Sequence, residues 1–257
     1  MKLLQILFVF ACLSSVQAFS QQLNLSIGPS FPVGAFASKD GNDPASGLAK
    51  MGWMADISYS HGLRKSPHFG VTAILRGRLN SIDKEGMMAP FTESYPGYQW
   101  SASNSSWKTA ALMGGAYYTT AISGKWSFTG TLAVGVAEAW LPEINLMAIV
   151  DSTGQGGDAN LLLVNNKQAH ATTFTMMAKA GVLYKLTEKL SLTASVDYWF
   201  LKPDFVLTQS VAFGRHMMIP GMYQLSNAAS ISTYSVRAPY SQQMNSFNLL
   251  VGVSMHL

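Results

Sequence analysis

The stretch FGVTAILRGRLN, residues 69–80, alternates apolar residues with small or charged ones, and it decides how the whole chain is interpreted. Its apolar parity consists of Phe69, Val71, Ala73, Leu75 and Leu79. The opposite parity places Arg76 and Arg78 side by side. Because successive side chains of a strand point to opposite faces, this pattern predicts a β-strand with one apolar and one charged face. Either the apolar face packs in a core, or it faces lipid while the arginines point into the lumen of a membrane barrel.

The composition favours a membrane protein. Only 12% of the 257 residues are charged, compared with about 25% in an average soluble domain. Hydrophobic residues make up 48% of the chain, yet no run after the N-terminus approaches the ~20 apolar residues of a membrane-spanning helix. A chain that is poor in charge, and whose apolar residues are diluted by alternation, is typical of a membrane β-barrel.

The N-terminus has the three parts of a secretory signal. Lys2 supplies the positive region, residues 3–13 the apolar region, and Val16 and Ala18 a small-x-small cleavage site. We therefore predict a signal peptide over residues 1–18 and a single outer-membrane β-barrel domain over residues 19–257. The only cysteine, Cys12, lies inside this signal, so no disulfide is expected in the exported chain. The basic residues are scattered, and together with the export signal they do not favour nucleic-acid binding.

The same alternation recurs in seven further segments, which brings the predicted number of strands to eight. They cover residues 23–34, 49–61, 109–122, 126–136, 173–186, 190–200 and 246–257. Short turns at 62–67, 123–125 and 187–189 alternate with long connections at 35–48, 81–107, 141–169 and 203–241. This pattern predicts an all-β fold, an eight-stranded antiparallel up-and-down transmembrane β-barrel in the bacterial outer membrane. An even number of strands predicts that both termini are periplasmic.

The third long connection has its own strand pattern. The apolar segments INLMAIV and NLLLVNN flank residues 154–158, which contain glycine and aspartate, so we expect a β-hairpin that projects beyond the bilayer. The alternative is that both arms enter the membrane, in which case the barrel has ten strands. The fourth connection is too long to be structureless by default, and we expect it to fold over the mouth of the barrel or to hold a partner.

The inward parity of the predicted strands collects most of the charge. It carries Lys50, Asp56, Arg76, Arg78, Lys179 and Asp197. The interior of an eight-stranded barrel is just wide enough for its own side chains, and isolated buried ions are very costly, so these charges are expected to pair. Strands three and seven face each other across such a ring, so Arg76 or Arg78 can reach Asp197, with Asp56 as the other candidate partner. The alternative is a narrow ion path, which the surplus of basic residues would make selective for anions.

The second long connection is rich in aromatic residues among small polar ones. Its candidates for contact with a ligand or partner are Tyr95, Tyr98, Trp100 and Trp107. Aromatic side chains on an exposed loop can stack on sugars or anchor a protein partner. The alternative is that they pack against the rim of the barrel or lie at the membrane interface.

No constellation of catalytic or metal-binding residues emerges from the sequence. His61, His68 and His256 fall at turns or at the C-terminus, and only His170 and His216 fall in or near long loops. No pair of His, Asp or Glu residues has ligand spacing on one strand face, so neither a metal site nor a cofactor is predicted. We accordingly predict that the protein is not an enzyme.

Several segments resemble a known family. The N-terminal signal, the early LNLSIGPSFPVG, the hairpin DISYSHGL with FGVTAILRGRLN, and the closing FNLLVGVSMHL are similar to the OmpX/OmpA-like small outer-membrane β-barrels, particularly those of Bacteroidetes-like bacteria. The resemblance implies the barrel architecture and leaves the activity open.

These observations lead to an expected function. We expect a barrel with a plugged polar lumen that has a structural, adhesive or surface-binding role through long extracellular loops. The expected partners are outer-membrane lipid and lipopolysaccharide, the barrel-assembly machinery, and an extracellular glycan, a protein ligand or a larger outer-membrane complex. A narrow anion-leaning channel and a lipid-modifying enzyme remain the alternatives.

Overall fold

The computed structural model describes residues 21–64, 66–94, 96–103, 105–150, 158–217 and 232–257. The predicted signal peptide and the ligand candidate Tyr95 lie outside these residues. In the described part of the chain, no helix is long and apolar enough to cross a membrane.

The described residues form thirteen strands, a 3-10 helix (Gly34–Ala37) and an α-helix, α1 (Lys84–Ser94). The strands are β1 (Gln21–Pro32), β2 (Ala49–Leu63), β3 (Ser66–Ile82), β4 (Gln99–Ala102), β5 (Ser106–Ser123), β6 (Trp126–Trp140), β7 (Ile144–Val150), β8 (Asp158–Asn166), β9 (His170–Lys185), β10 (Leu190–Leu201), β11 (Asp204–Met217), β12 (Ser232–Ser241) and β13 (Ser246–His256).

Eight of these strands close into an antiparallel barrel in the order β1-β2-β3-β5-β6-β9-β10-β13. Each barrel strand pairs with the next barrel strand along the chain, and the ring closes where β1 pairs with β13, with Gln22 opposite His256. The predicted eight-stranded up-and-down barrel is therefore confirmed. We call the end with the short β2–β3, β5–β6 and β9–β10 connections the turn end, and the opposite end the loop end.

The burial of the opening stretch shows which face of the barrel is apolar. Leu75 and Leu79 expose 57% and 54% of their surface, whereas Arg76 and Arg78 expose 1% and 2%. The same alternation runs around the ring, because outward-facing Leu25, Leu132 and Val251 are 60%, 69% and 63% exposed. The apolar parity thus forms the outer surface of the barrel, and the arginines lie inside it. A barrel that exposes its apolar side chains is arranged for lipid rather than water.

The connections at the loop end form a second sheet that the sequence predicted only in part. Its five strands have the order β12-β11-β8-β7-β4. The predicted hairpin in the third connection is confirmed, since β7 and β8 pair antiparallel from Ile144 opposite Asn166 to Val150 opposite Asn160. The ten-strand alternative is wrong, because β7 pairs with β4 and β8 pairs with β11, and neither joins the barrel. Strands β4, β11 and β12 were not predicted.

Aromatic and hydrogen-bond contacts tie the second sheet to the barrel. The ring of Phe205 in β11 lies 6.2 Å from the ring of Trp107 in β5 and stacks on Tyr240 of β12. Gln242 donates a hydrogen bond to Ala45 O at 3.1 Å and accepts one from the Tyr240 hydroxyl. Burial, reinforced by the negative charge of Asp43, raises the pKa of Tyr240 to about 12. The phenol therefore stays a neutral hydrogen-bond donor at any physiological pH.

Candidate functional site

Strand register brings four charged residues to one level of the lumen. Asp56 of β2 lies directly opposite Arg76 of β3, and Lys179 of β9 lies directly opposite Asp197 of β10. These two strand pairs occupy different sides of the ring, so their inward side chains meet near its centre. We call Asp56, Arg76, Lys179 and Asp197 the ion network.

Arg76 is the central member of the ion network. Its Nη1 donates to Asp197 Oδ1 at 3.0 Å and its Nη2 to Asp197 Oδ2 at 2.7 Å, a two-pronged contact across the lumen. Nη2 also donates to Asp56 Oδ2 at 2.7 Å. The side chains of all three residues are 0% exposed. Paired Arg–carboxylate bonds of this kind fix direction as well as charge, so they hold opposite walls of the barrel at a set distance.

Two further residues complete the hydrogen bonding of the carboxylates. Lys179 Nζ lies 3.2 Å from Asp56 Oδ2, and its side chain is 13% exposed. Asn248 of β13 donates to Asp197 Oδ1 at 2.6 Å. Two cations face two anions, so the ion network is electrically neutral as a unit. Charges that are paired in this way can be buried, whereas an unpaired ion at the same depth would be very costly.

Arg78 lies one step nearer to the loop end and is held differently. It donates to Ser246 Oγ at 2.8 Å and to Met244 O at 3.4 Å. Its guanidinium lies 4.9 Å from the ring centroid of Phe36 and 4.6 Å from that of Trp199. Among the described residues no carboxylate lies within ion-pair distance of Arg78. Its charge is instead stabilised by the faces of two aromatic rings and by hydroxyl and carbonyl oxygens.

An aromatic layer, Phe36, Trp107 and Trp199, covers the ion network on the loop-end side. Trp199 is 0% exposed, and its ring also faces Arg76 at 5.4 Å. Phe36 from the 3-10 helix meets Trp107 edge-on at 5.7 Å. The aromatic layer and Arg78 together fill the loop-end half of the lumen with close-packed side chains.

The prediction that Trp107 is available to an external ligand is wrong. Trp107 is 4% exposed, and its indole nitrogen donates to Gly47 O at 2.8 Å. The reason is that β5 begins at Ser106, so Trp107 already occupies an inward position, on the same parity as the buried Thr109 and Ala111.

Tyr98 and Trp100 lie elsewhere, Trp100 in β4 of the second sheet and Tyr98 just before this strand. Their rings are 6.0 Å apart, and Trp100 also packs at 5.0 Å on Phe91 of α1. Both are half-buried. Phe91, Tyr98 and Trp100 form an aromatic cluster that joins α1 to the edge strand β4.

Lys50 does not join the ion network, although its sequence parity predicted an inward position. A register irregularity between Ala49 and Gly52 interrupts the pairing of β2 with β3 and turns Lys50 to the outside of the barrel. There its Nζ lies 3.1 Å from Asp83 Oδ1. A β-bulge breaks the alternation of faces at its own position, which is why the parity of the rest of β2 could not locate Lys50.

Asp83 precedes α1 at the loop-end rim of the barrel, where it pairs with Lys50 and Lys39. Burial tends to raise the pKa of this carboxyl, but hydrogen bonds from Lys50 and from the Gly86 N–H, with the charges of Lys50 and Lys39, lower it overall. A folded-state pKa below the unfolded one means that Asp83 stabilises the fold at neutral pH, and that this contribution is lost as the pH falls through the folded-state pKa.

Replacing Asp83 by asparagine is expected to lower the free energy of unfolding by about 1 kcal/mol at pH 7, because the helix cap and the rim ion pair are both weakened. The difference from the wild type should shrink at pH 3, below the ordinary aspartate pKa of 3.8, because the unfolded chain then binds the proton more readily than the folded one does. Urea unfolding in detergent micelles at both pH values measures it, with Glu93→Gln as an exposed control on α1. An equal difference at the two pH values would contradict the linkage.

The turn-end half of the lumen is polar and partly open. A cavity of about 70 Å³ is lined by side chains such as Ser58, Ser60, Thr72, Thr131 and Thr193, with Lys179 at the level of the ion network. Inward-facing Thr131 and Thr193 are half-exposed, whereas the loop-end positions Thr109 and Thr175 are buried. In the described residues the lumen is therefore accessible to solvent at the turn end and filled with packed side chains at the loop end.

Lys179→Met is expected to lower the free energy of unfolding by about 1.5–3 kcal/mol, the typical value of a hydrogen bond to a buried charged group. Lys50→Met is the matched control, because it also removes a lysine–aspartate pair but from the exposed rim, where such pairs contribute about 1 kcal/mol or less. Equilibrium unfolding followed by tryptophan fluorescence measures both variants. Equal losses for the two lysines would contradict the assignment of Lys179 to the buried network.

Several residues of the site were not singled out from the sequence. Trp199 continues the inward parity of Asp197, and Asn248 lies on the inward parity of the last strand, so alternation could have found both. Phe36 gave no such signal, because it comes from a short 3-10 helix in a loop. Within the described residues there is no group of three or more His, Cys, Asp or Glu side chains that could hold a metal ion.

The closed barrel, its exposed apolar surface and its charged, filled interior together define a transmembrane β-barrel. No protein-family model matches the chain, and no curated protein sequence matches it. Among solved structures, the chain is similar in backbone to neisserial surface protein A, with a TM-score of 0.44, 9% identity, and coverage of 92% of this chain and 97% of that one.

Two other solved structures resemble the chain to a similar degree. A major outer membrane protein from Thermus thermophilus has a TM-score of 0.44 and 10% identity, covering 93% of this chain and all of that one. Ail, the attachment invasion locus protein of Yersinia pestis, has a TM-score of 0.40 and 10% identity, covering 93% of this chain and all of that one. The similarity is too low to transfer a function, so the function is inferred from the chain's own residues.

Proposed function

We propose that the protein is a bacterial outer-membrane barrel, with both termini in the periplasm, that holds a binding surface outside the cell. The observation that carries the proposal is the division of the molecule into a sealed barrel and a folded loop end. Three long connections form one five-stranded sheet, and contacts such as Phe205 to Trp107 anchor it to the barrel. A sheet that is ordered before binding loses less conformational entropy when a partner docks.

The packing of the lumen supports a structural rather than a conducting role. A solute entering from the turn end reaches Lys179 and the ion network, and beyond it the aromatic layer and Arg78. Beyond Lys179 the path is closed, because Arg76, Arg78 and Trp199 are 1%, 2% and 0% exposed. Passage would require breaking the ion network and displacing close-packed rings at the same time, which is costly.

The ligand class is proposed from the aromatic cluster Phe91, Tyr98 and Trp100. Half-buried aromatic rings beside polar residues provide flat apolar faces on which sugars can stack, and they also anchor protein partners. We propose an extracellular glycan or a surface protein as the ligand, with adhesion or membership in a larger outer-membrane complex as the biological outcome.

Binding of intact cells to glycan and matrix-protein arrays tests this proposal. Gram-negative cells that express the barrel should bind at least one class of spot, and Tyr98→Ser/Trp100→Ser should weaken that binding about tenfold or more. Val206→Ser/Val236→Ser is the matched control, because Val206 and Val236 are 53% and 39% exposed on the same sheet but are not aromatic. Heat-modifiable gel mobility confirms that each variant is folded. Binding that is absent, or equally affected by both pairs of substitutions, would overturn the proposal.

A further inference from the structure

The lipid-facing surface of the barrel is not smooth. Two adjoining hollows, of about 500 and 540 Å³, indent the outer face of β6, β9 and β10 and extend to β3 and β5 on one side and to β13 and β1 on the other. Ala180 and Val196 line both of them, so the hollows meet. Each is lined almost entirely by apolar groups.

The hollows lie where small residues occupy neighbouring outward positions on adjacent strands, between larger side chains on either side. The floor consists of Ala116, Gly130, Ala178, Ala180 and Ala194. A methyl group added at Gly130 would meet only one atom, a Phe128 ring carbon at 3.9 Å, so this position opens into free space. Two aromatic pairs form the walls on either side, with ring centroids 5.0 Å apart in both: Phe69 with Tyr118, and Tyr198 with Phe247.

The turn end of this face carries aromatic and basic groups. Following the outward positions of β6 and β9 past Phe128 and Val182 leads to Trp126 and Tyr184, which pair in register and contact each other at 4.8 Å. Lys125 Nζ lies 6.0 Å from the Tyr184 ring, and the Lys185 N–H donates to Lys125 O at 2.8 Å. Tryptophan and tyrosine beside lysine are the groups that lie at the level of lipid headgroups.

The two ends of the barrel differ in charge. Among the described residues at the turn end, four are basic, Arg64, Lys125, Lys185 and Lys189, and only Glu188 is acidic. The loop end, in contrast, holds ten acidic and eight basic residues by sequence, counted over the stretches 33–50, 83–108, 138–170 and 202–241. Anionic headgroups are therefore attracted to the turn end, and three of its four basic residues lie beneath the hollows.

We propose that this face binds one anionic glycerophospholipid of the leaflet at the turn end. Its two acyl chains occupy the two hollows, and its phosphate lies among Lys125, Lys185 and Lys189. The inference rests on the proposed membrane insertion and is independent of the surface-binding role. A bound lipid accounts for the small outward residues and for the basic residues of the turn end, neither of which has a role in filling the lumen.

The charge distribution favours a lipid over a second copy of the chain. Two barrels that share a membrane have their turn ends at the same depth, so a two-fold interface through this face would place the lysines of one copy against those of the other. Such like-charge contact opposes association. A lipid phosphate has the opposite sign and meets no such barrier.

Native mass spectrometry of the folded, detergent-solubilised barrel tests the proposal. The probes are phosphatidylglycerol and phosphatidylcholine with identical acyl chains, and lipid A as the anionic lipid of the other leaflet. One phosphatidylglycerol should stay bound at concentrations about tenfold lower than phosphatidylcholine requires. Lys125→Gln/Lys185→Gln/Lys189→Gln should abolish this preference, and Ala178→Phe/Ala180→Phe should weaken retention of both phospholipids.

Matched controls separate the site from general effects. Ala73→Phe adds bulk at an outward, exposed position of β3 on another face, and Lys39→Gln/Lys84→Gln/Lys167→Gln removes the same charge from the loop end. Both control variants should retain the wild-type preference, and heat-modifiable mobility shows that all variants are folded.

Equal binding of the two phospholipids, or an unchanged preference in the turn-end lysine variant, would overturn the proposal. So would preferential binding of lipid A that only the loop-end lysine variant removes. A dimer of the barrel that Ala178→Phe/Ala180→Phe disrupts would also overturn it. A failure of the proposed surface binding would leave this measurement unaffected, because the hollows and lysines lie away from the second sheet.

Discussion

Replacing Asp197 by alanine is expected to lower the free energy of unfolding by about 3–5 kcal/mol. The carboxylate is fully buried and accepts three hydrogen bonds, two from Arg76 and one from Asn248. Without it, Arg76 and Lys179 face Asp56 alone, so the lumen holds an uncompensated positive charge. Guanidinium unfolding in micelles, followed by tryptophan fluorescence and by gel mobility, measures the loss.

A double variant distinguishes the loss of an ion pair from a general disturbance of the barrel. In Arg76→Met/Asp197→Leu both charges are removed together, and Asp56 and Lys179 can still pair with each other. Replacing a whole buried pair by apolar residues of similar volume is often neutral or stabilising, so this variant should be more stable than Asp197→Ala alone. If the double variant is less stable than Asp197→Ala, the ion network is not organised around the contact between Arg76 and Asp197.

Truncating Trp199 to alanine is expected to cost about 3–5 kcal/mol, the range for removing a large aromatic side chain from a packed interior. Its indole is 0% exposed, donates to Thr175 Oγ1 at 2.6 Å, and covers the guanidinium groups of Arg76 and Arg78. Alanine leaves a void beside two cations whose charge the ring had stabilised. The same unfolding measurement applies.

Trp199→Phe is the graded control for this prediction. A phenyl ring keeps most of the packing and the cation–π contact, but it removes the hydrogen bond that the indole N–H donates to Thr175 Oγ1. The free energy of unfolding is therefore expected to fall by about 1 kcal/mol. Trp53→Ala, on the outward face at 60% exposure, should cost less than Trp199→Ala. Similar losses for the inward and outward tryptophans would show that the aromatic layer does not determine the stability of the barrel.

Alternation in the sequence was sufficient to predict the barrel and most of its interior. In a membrane strand the two faces meet lipid and lumen, and a charge on the lipid face costs about 2–4 kcal/mol at mid-depth. Parity therefore had to place Asp56, Arg76, Lys179 and Asp197 inside. The ring geometry of eight strands then predicted that Arg76 or Arg78 could reach Asp197, and in the structure it is Arg76 that does so.

The loop end could not be derived from the same signal. Strand β11 pairs with β8, and β7 pairs with β4, so these partners come from different connections and no periodicity specifies them. The bulge that turns Lys50 outward breaks the parity on which its placement depended. Trp107 was assigned to a loop because the predicted strand began only at Thr109, whereas β5 already begins at Ser106. Lys50 and Trp107 were thus both misplaced at a boundary between the regular barrel and irregular structure.

Single-channel recording in planar bilayers most directly tests whether the lumen is closed. The wild-type protein, shown to be folded by heat-modifiable mobility, should insert without producing stable conductance steps, because the ion network bridges the lumen and the aromatic layer and Arg78 fill its loop-end half. An open porin reconstituted in the same way serves as the positive control. Stable, anion-selective steps from the wild-type protein that change with Arg78→Ala would contradict a sealed barrel and would establish a channel instead.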